Sequence, residues 1–501
     1  MGSLAASLRS SRAREASELQ ARSGSSEPYE NLRPPKSSAS QAGPRVPTPQ
    51  AREVYVLFAI VVGGSALGSL SQTGVNAMMP AIAADLQVGI DAAQLLTAGY
   101  MLTLGIVVPL ATFLARRISL RAQALIAAAL FVFGSLIDCL AWSFALALAG
   151  RLLQAASVGL LMPLLQTIAV TRFPPGRQAT AMGVAGIAMG FAPNVGPAVG
   201  GALDVAFGWR SFFVLMTVLG AFVMLCAMRF IGRFDSVDSG ERFDALSFLL
   251  SSLGFGGVLT GTSNASNIGA NPLFVWVPLA TGALFLILFV RRQARTPHPL
   301  MRLAIFDHPQ YNRGLFAVSI LSASFMGITL LIPLYAANVR GATSFEAGLV
   351  ILPSALLALV MNPLAGWLTD RFGVRPVALS MGVLLATGSV LCATAGEATP
   401  LFALAAYQTL RGLGVSGLVG PFQSWCLAGL PRDLVPDGSS TSVLARQVSA
   451  SLGTSALVLI VEVSAAQGVA ASFPALPYQL AFAFSAALAL VVLAFSWARV
   501  R

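Results

Sequence analysis

From Val54 onward the chain is a succession of apolar runs of 18–25 residues, and no other feature limits its fold as strongly. Wound as a helix, a run of that length crosses the roughly 30 Å hydrocarbon core of a bilayer. The runs fall at about 55–80, 92–114, 120–142, 144–171, 178–205, 209–232, 243–263, 272–291, 313–338, 344–368, 375–395, 400–428, 438–463 and 477–498. Fourteen spans in the 448 residues after residue 53 give 32 residues per span with its connector, so the loops are short and a separate soluble domain has no room. The expected fold class is an all-α polytopic membrane protein. Charge agrees: only 10% of residues are charged, against roughly 25% in a soluble chain. That excludes a water-soluble enzyme or DNA-binding protein.

Residues 1–53 are rich in Ser, Pro, Ala and Arg and lack an apolar period, so they read as a disordered tail. No apolar segment follows the early arginines, which argues against a signal peptide. The four cysteines are isolated within apolar runs, and His298 and His308 share one polar linker without ligand spacing. No metal or other cofactor is expected, and nucleic acid is not an expected partner.

The net charge of +11 reports topology. With both termini in the cytoplasm, 26 of the 31 basic residues fall in the tail and cytoplasmic segments, and only Arg210 and Arg340 fall in outer loops. That is the positive-inside bias. Arg151, Arg411 and Arg446 lie within spans. Thirty arginines against the single Lys36 fit a GC-rich bacterial genome, and hence a bacterial plasma membrane.

The chain repeats itself. FLARRISLR (113–121) returns 254 residues later as WLTDRFGVR (367–375). FALALAGRLLQAASVGLLMP (144–163) returns 258 residues later as FALAAYQTLRGLGVSGLVGP (402–421), with eight of twenty positions identical. Eight spans at 32 residues give 256, so two six-span halves flank an extra pair. The expected division is a tail at 1–53, an N-terminal bundle at 54–232, a central helix pair at 243–292, a cytoplasmic linker at 293–312 and a C-terminal bundle at 313–501. Repeats of this kind mark secondary transporters, whose halves rock around a midplane site.

Four strings carry chemistry. In RLLQAASVG (span 4), Arg151 lies about two turns inside the membrane, where an unpaired guanidinium is costly, and Gln154 shares its face. Arg151 either makes a cavity polar or is tied to backbone carbonyls. GFAPNVGPAVGG (190–201) combines Gly196 and Gly200, a face for close helix approach, with Pro193 and Pro197, which bend the helix. GWLTDRFGVR (366–375) sets Asp370 at a helix end beside arginines. LSQTGVNAMMP (70–80) leaves Gln72 and Asn76 one turn apart, facing either a cavity or a neighbouring helix.

These strings resemble the major facilitator superfamily: RxxQG in span 4, the antiporter signature GxxxGPxxGG in span 5 and the loop GxLxDRxGRR. The count of fourteen resembles its multidrug exporter branch. Ser71, where related exporters have an aspartate, is closest to the lincomycin-resistance-like subgroup. The resemblance implies a monomeric exporter of amphipathic, cationic or neutral drug-like molecules working by alternating access against protons. The implied cavity is lined by Gln72, Asn76, Gln94, Tyr100, Arg151, Gln154 and Gln408. The implied gating joint between the halves is Gly190, Pro193, Gly196, Pro197, Gly200 and Gly201. The implied cytoplasmic latch is Gly366, Asp370, Arg371, Gly373 and Arg375, with Asp370 paired to arginines. In the first-half copy Thr112, Arg116 and Ser119 replace Gly, Asp and Gly, so that latch has lost its acid. With no acid in span 1, the candidates for ion coupling are Glu462, Asp138 and Arg446, while Asp204 reads as a helix cap. Residues 297–313 read as an interfacial helix leading into span 9. A dedicated exporter of one peptide, siderophore or antibiotic is the alternative. A membrane sensor lacks a signalling domain, and an intramembrane enzyme lacks a nucleophile–base or metal set.

Overall fold

A computed structural model describes residues 51–231, 244–264, 272–297, 299–466 and 473–500. Of the expected tail, residues 1–50 lie outside these, as do Arg233, Arg242, His298 and Arg501. The described residues belong to the unit Pro49–Arg501. The first half supplies α1 (Ala51–Asp85), α2 (Ile90–Arg117), α3 (Leu120–Cys139), α4 (Phe144–Thr171), α5 (Gln178–Phe207) and α6 (Arg210–Phe230). Then come α7 (Ala245–Ser263) and α8 (Leu273–Gln293). The second half supplies α9 (Pro309–Arg340), α10 (Ser344–Phe372), α11 (Val374–Ala393), α12 (Leu401–Ala428), α13 (Val435–Ala466) and α14 (Leu476–Arg499). Among the described residues there is no strand.

Thirteen of these helices are long and apolar enough to cross a membrane. The other, α12, is long enough but carries Gln408, Arg411, Gln423 and Ser424, all buried. A helix walled in by protein has no need of an apolar surface. The lipid-facing helices show the converse: Phe222, Trp276 and Leu356 are each more than half exposed. An apolar girdle of this kind is stable only against hydrocarbon.

Helix ends follow local chemistry. The Ser119 and Ser143 hydroxyls accept from Ala122 N and Leu146 N, capping α3 and α4. Thr343 and Glu346 form a reciprocal capping box at the start of α10. Between α10 and α11 the chain turns on one residue, Gly373, at φ +87°, a conformation open to glycine. In the first-half copy Ser119 sits at φ −63° and caps α3 instead, so the departure from glycine there has its own physical basis.

Buried apolar clusters form within each half. One joins Val75, Met78, Phe131 and Phe212, and another joins Leu331, Tyr335, Leu404 and Phe482. A third brings Leu427 and Leu434 against Ile168 and Met182, from opposite halves. The central pair packs tightly on itself, since a Cβ on Gly257 would meet the backbone of Gly282. It rests on both halves: Leu259 meets Gly105 of α2, and Thr262 lies 2.6 Å from Ser451 of α13. The interfacial helix expected at 297–313 shrinks to one 3-10 turn, Leu303–Asp307. Before it, Leu300 and Met301 are buried and the Pro299 and Leu300 carbonyls accept from Arg116, so this backbone is held by tertiary contacts.

Because the helices alternate in direction, the α2–α3, α4–α5, α10–α11 and α12–α13 connections share one end, which carries Arg116, Arg117, Arg121, Arg371 and Arg375. It is called the basic end below.

Candidate transport site

A cavity of about 410 Å³ lies midway along the helices and draws its wall from both halves. Of the residues expected there, Gln72 and Asn76 line it, as do Gly190, Pro193 and Pro197 of α5. Asn76 Oδ1 accepts from Thr97 at 2.8 Å. Further polar wall comes from Asn194, Asn362, Arg446, Gln447 and several serine and threonine hydroxyls, and much of the apolar wall from Met101, Met162, Met189 and Met326. Arg446, expected among the coupling groups, thus faces the cavity. Gln94, Tyr100, Arg151, Gln154 and Gln408 are not among its described lining residues. Gln94 is exposed near the start of α2. Gln408 is buried beside Arg411, which donates to Ser324 O at 2.7 Å.

Tyr100, Arg151 and Gln154 form a closed cluster behind α1. Arg151 Nη1 donates to Ser71 O at 3.1 Å, Ser71 Oγ at 2.9 Å and Gln154 Oε1 at 2.8 Å. Gln154 Nε2 donates to Ser135 Oγ at 2.8 Å. The guanidinium carbon stands 4.3 Å from the Tyr100 ring centre, a cation–π contact, and the Tyr100 hydroxyl donates to Gly68 O at 2.9 Å. Arg151 is buried in the protein, where an unpaired guanidinium is costly, and its Nη1 is held by acceptors on Ser71 and Gln154. Ser71, the residue that departs from related exporters, is one of those acceptors.

Asp138 completes this cluster. It is fully buried, and neither carboxylate oxygen has a hydrogen-bond partner among the described residues. It is brought there by close packing of α3 on α4, where a Cβ on Gly150 would overlap the Asp138 carboxylate and one on Gly134 would meet Gly150 O. Arg151 Nε and Nη2 are also without hydrogen-bond partners among the described residues. Glu462 is exposed on α13 and belongs to neither cluster nor cavity. Asp204 accepts, through its backbone carbonyl, the cap bond from Gly208 N at the end of α5.

Helix α5 is built in three pieces, Gln178–Gly186, a π-helical turn at Ile187–Phe191, and Ala192–Phe207. Pro193 has no N–H, and its ring presses on the carbonyl four residues back. The helix widens by one residue before it, with Ala192 N donating to Ile187 O. Side chains satisfy the freed carbonyls: Asn194 Nδ2 donates to Gly190 O at 2.8 Å and Thr73 Oγ1 to Pro193 O at 2.7 Å. Gly196 and Gly200 were expected to join the halves. They face α1 of their own half, where a Cβ on Gly200 would meet Gly74 O and one on Gly196 would overlap Thr73. Gly201 has room, with Ala77 Cβ 3.7 Å away. A contact between halves lies in the first piece, where Gly183 and Gly186 pack on Asn362 of α10.

At the basic end two contacts tie the halves together. Asp370 of α10 accepts from Ala179 N at 3.1 Å, Thr180 N at 2.7 Å and Thr180 Oγ1 at 2.6 Å. It caps the first turn of α5 from the opposite half. The expected pairing with arginines is corrected, because free N–H groups at a helix N-terminus already offer a carboxylate directed donors and a favourable dipole. Gly366 allows the approach: a Cβ there would overlap Ala179 O. Arg371 stacks by Trp367 and Phe372, 5.4 Å from each ring centre, and Arg375 is exposed.

The first-half latch keeps an acid, contrary to expectation. Arg116 Nη1 donates to Asp437 of α13 at 2.9 Å, and Asp437 also accepts from Arg302 N at 2.8 Å. Thr112 Oγ1 donates to Ser440 Oγ at 2.5 Å. Asp437 went unread in the sequence, although the repeat offset of 258 points to it: it stands 258 residues after Ala179. Between latches and cavity lies a buried polar layer shared by the halves. Gln423 Nε2 donates to Gln166 Oε1 at 2.9 Å and Ser442 Oγ at 2.6 Å.

Residues 61–454 match the Major Facilitator Superfamily. Among curated relatives, the lincomycin resistance protein LmrB of Listeria monocytogenes is 32% identical, over 82% of this chain and 86% of its own. The multidrug resistance protein B homolog of Mycobacterium tuberculosis is 29% identical, over 72% of this chain and 68% of its own. Among solved structures, the proton:xylose symporter XylE superposes with a TM-score of 0.63 at 13% identity, covering 90% of this chain and 96% of that one.

Proposed function

The chain belongs to the Major Facilitator Superfamily, and on that footing we propose that it exports amphipathic drug-like molecules by alternating access, in exchange for protons. It is a multi-pass membrane transporter. Its relatives include lincomycin and multidrug resistance proteins, which favours antibiotics and similar compounds as cargo. The observation that carries the reading is the shared cavity, stopped at the basic end by contacts that run between the halves: Asp370 on α5, Arg116 on Asp437, and the Gln166–Gln423–Ser442 layer.

In this reading all fourteen helices span the bilayer, the six-helix halves move as bundles, and the basic end with both termini faces the cytoplasm. The latched form is then closed to the cytoplasm. The π-helical turn of α5 is the flexible joint: one flank is gripped by α10 and the other is packed on α1, so motion between the halves concentrates between them. Breaking the two latches opens the cavity inward.

We assign proton exchange to Asp138 and Arg151. Burial without a hydrogen-bond donor disfavours the ionised form of a carboxylate, and in this reading the neighbouring Arg151 guanidinium is the charge that favours it. Moving Arg151 away leaves Asp138 to take a proton on its carboxylate, and returning Arg151 favours release. The cluster borders α1, whose Gln72 and Thr73 line the cavity, so a shift of α1 reaches both. This arrangement supplies the acid that Ser71 leaves missing in α1.

The test is dye uptake into inverted membrane vesicles under an imposed pH gradient, interior acid. Accumulation that collapses with the gradient is expected. Uptake indifferent to the gradient would remove proton antiport, and absence of transport for any amphipathic compound would favour the exporter of a single metabolite.

A further inference from the structure

The cavity has one charged side chain among its described lining residues, and it is a cation. Arg446 rises from α13, and its Nη1 lies 2.9 Å from Met189 Sδ. A thioether is a weak acceptor, and Arg446 forms no ion pair among the described residues. A guanidinium stays protonated in proteins and offers five donors in a planar fork. Within a wall that is otherwise amides, hydroxyls and apolar groups, most of that capacity is unspent. Among the described residues no aspartate or glutamate lines the cavity to attract a cation or to screen Arg446.

We propose that the cargo is amphipathic organic anions: molecules with an apolar body and one carboxylate, sulfonate or comparable acidic group that engages Arg446. This rests on the reading of the cavity as the transport site. The anion receives charge-assisted hydrogen bonds from the guanidinium, displacing only the sulfur contact. The body rests on Met101, Met162 and Met326, unbranched and polarizable side chains that reshape around different outlines. A cationic group in the same place meets Arg446 without a compensating carboxylate. Breadth of cargo therefore comes from the methionine wall, and sign selection from one arginine.

The test uses full-length protein in nanodiscs and three dansyl probes that share one body and end in a carboxylate, a carboxamide or a trimethylammonium. Fluorescence titration of the wild type is expected to rank acid above amide above ammonium. The acid should lead the amide by roughly tenfold to a hundredfold, the range for a hydrogen bond to a charged group. Arg446→Gln should erase the gap between acid and amide, and Arg446→Lys should keep the order. An ammonium probe that binds as tightly as the acid, or a gap that survives Arg446→Gln, overturns the assignment. The wild-type ranking stands as a test without any variant. Failure of all three probes to bind contradicts the cavity reading itself, whereas a reversed order contradicts the anion assignment alone.

Discussion

Arg116 and Asp437 form a buried ion pair, 2.9 Å between Nη1 and Oδ1, with side chains 8% and 0% exposed. Arg116 stands 254 residues before Asp370, the acid of the other latch. The repeats have exchanged polarity: one latch places its acid on α10 against the first turn of α5, and the other places it on the first turn of α13 against α2. Removing one member of a buried pair leaves an uncompensated charge and costs about 3–5 kcal/mol. We expect Arg116→Ala and Asp437→Ala each to lower thermal stability by about that much, and the pair of changes together to cost less than their sum. Additive losses in a double-mutant cycle would show that the two side chains are not coupled.

Asp370 caps α5 through two backbone N–H groups and one hydroxyl. Loss of a helix cap costs about 0.5–2 kcal/mol, enough to shift an open–closed balance up to roughly thirtyfold. Asp370→Ala should therefore speed labelling of a cysteine placed at Gln166, beneath the cavity, from the basic side. Unchanged labelling would show that this contact does not hold the closed form.

The glycines of the α5 signature are unequal. Gly200→Ala drives a Cβ toward Gly74 O, whereas Gly201→Ala has space. Overpacking of this sort costs about 1–3 kcal/mol. Transport and melting temperature should fall for Gly200→Ala and hold for Gly201→Ala; equal behaviour would contradict the assigned packing.

At the base of the central pair, Asp244 caps α7 and pairs with Arg292 of α8 at 3.0 Å. Burial favours a higher value for its carboxyl, but hydrogen bonds from Arg292, the Ser247 hydroxyl and Ser247 N, with the Arg292 charge, hold it at about 2 against an ordinary 3.8. A depressed acid stabilises fully above its unfolded value and loses that contribution as pH falls through its folded one. The melting difference between wild type and Asp244→Asn should be flat above about pH 5 and shrink below pH 4. A difference that grows on acidification would contradict this linkage.

The all-helical fold and thirteen long apolar helices were legible in the sequence, because run length is set by bilayer thickness. Azimuth was not. In a membrane helix the lipid-facing side is as apolar as the packed side, so sequence period could not tell that Arg151 turns into a closed cluster while Arg446 turns into the cavity. Partners across the halves were hidden for a related reason: Asp370 uses backbone N–H groups, which every residue has. Asp437 was within reach of the repeat, but its pairing with Arg116 inverts the positions of acid and base in the motif. Gly196 and Gly200 were recognisable as a packing face, yet only the path of α1 shows which helix they pack on.

We propose an exporter driven by proton exchange at Asp138. Its most direct measurement is substrate accumulation in proteoliposomes under a pH gradient, set beside counterflow exchange without one, for the wild type, Asp138→Asn and Glu462→Gln. We expect the gradient to drive accumulation in the wild type and in Glu462→Gln. Asp138→Asn should lose accumulation while keeping counterflow. Gradient-driven accumulation that persists in Asp138→Asn, or is lost instead in Glu462→Gln, would contradict the account.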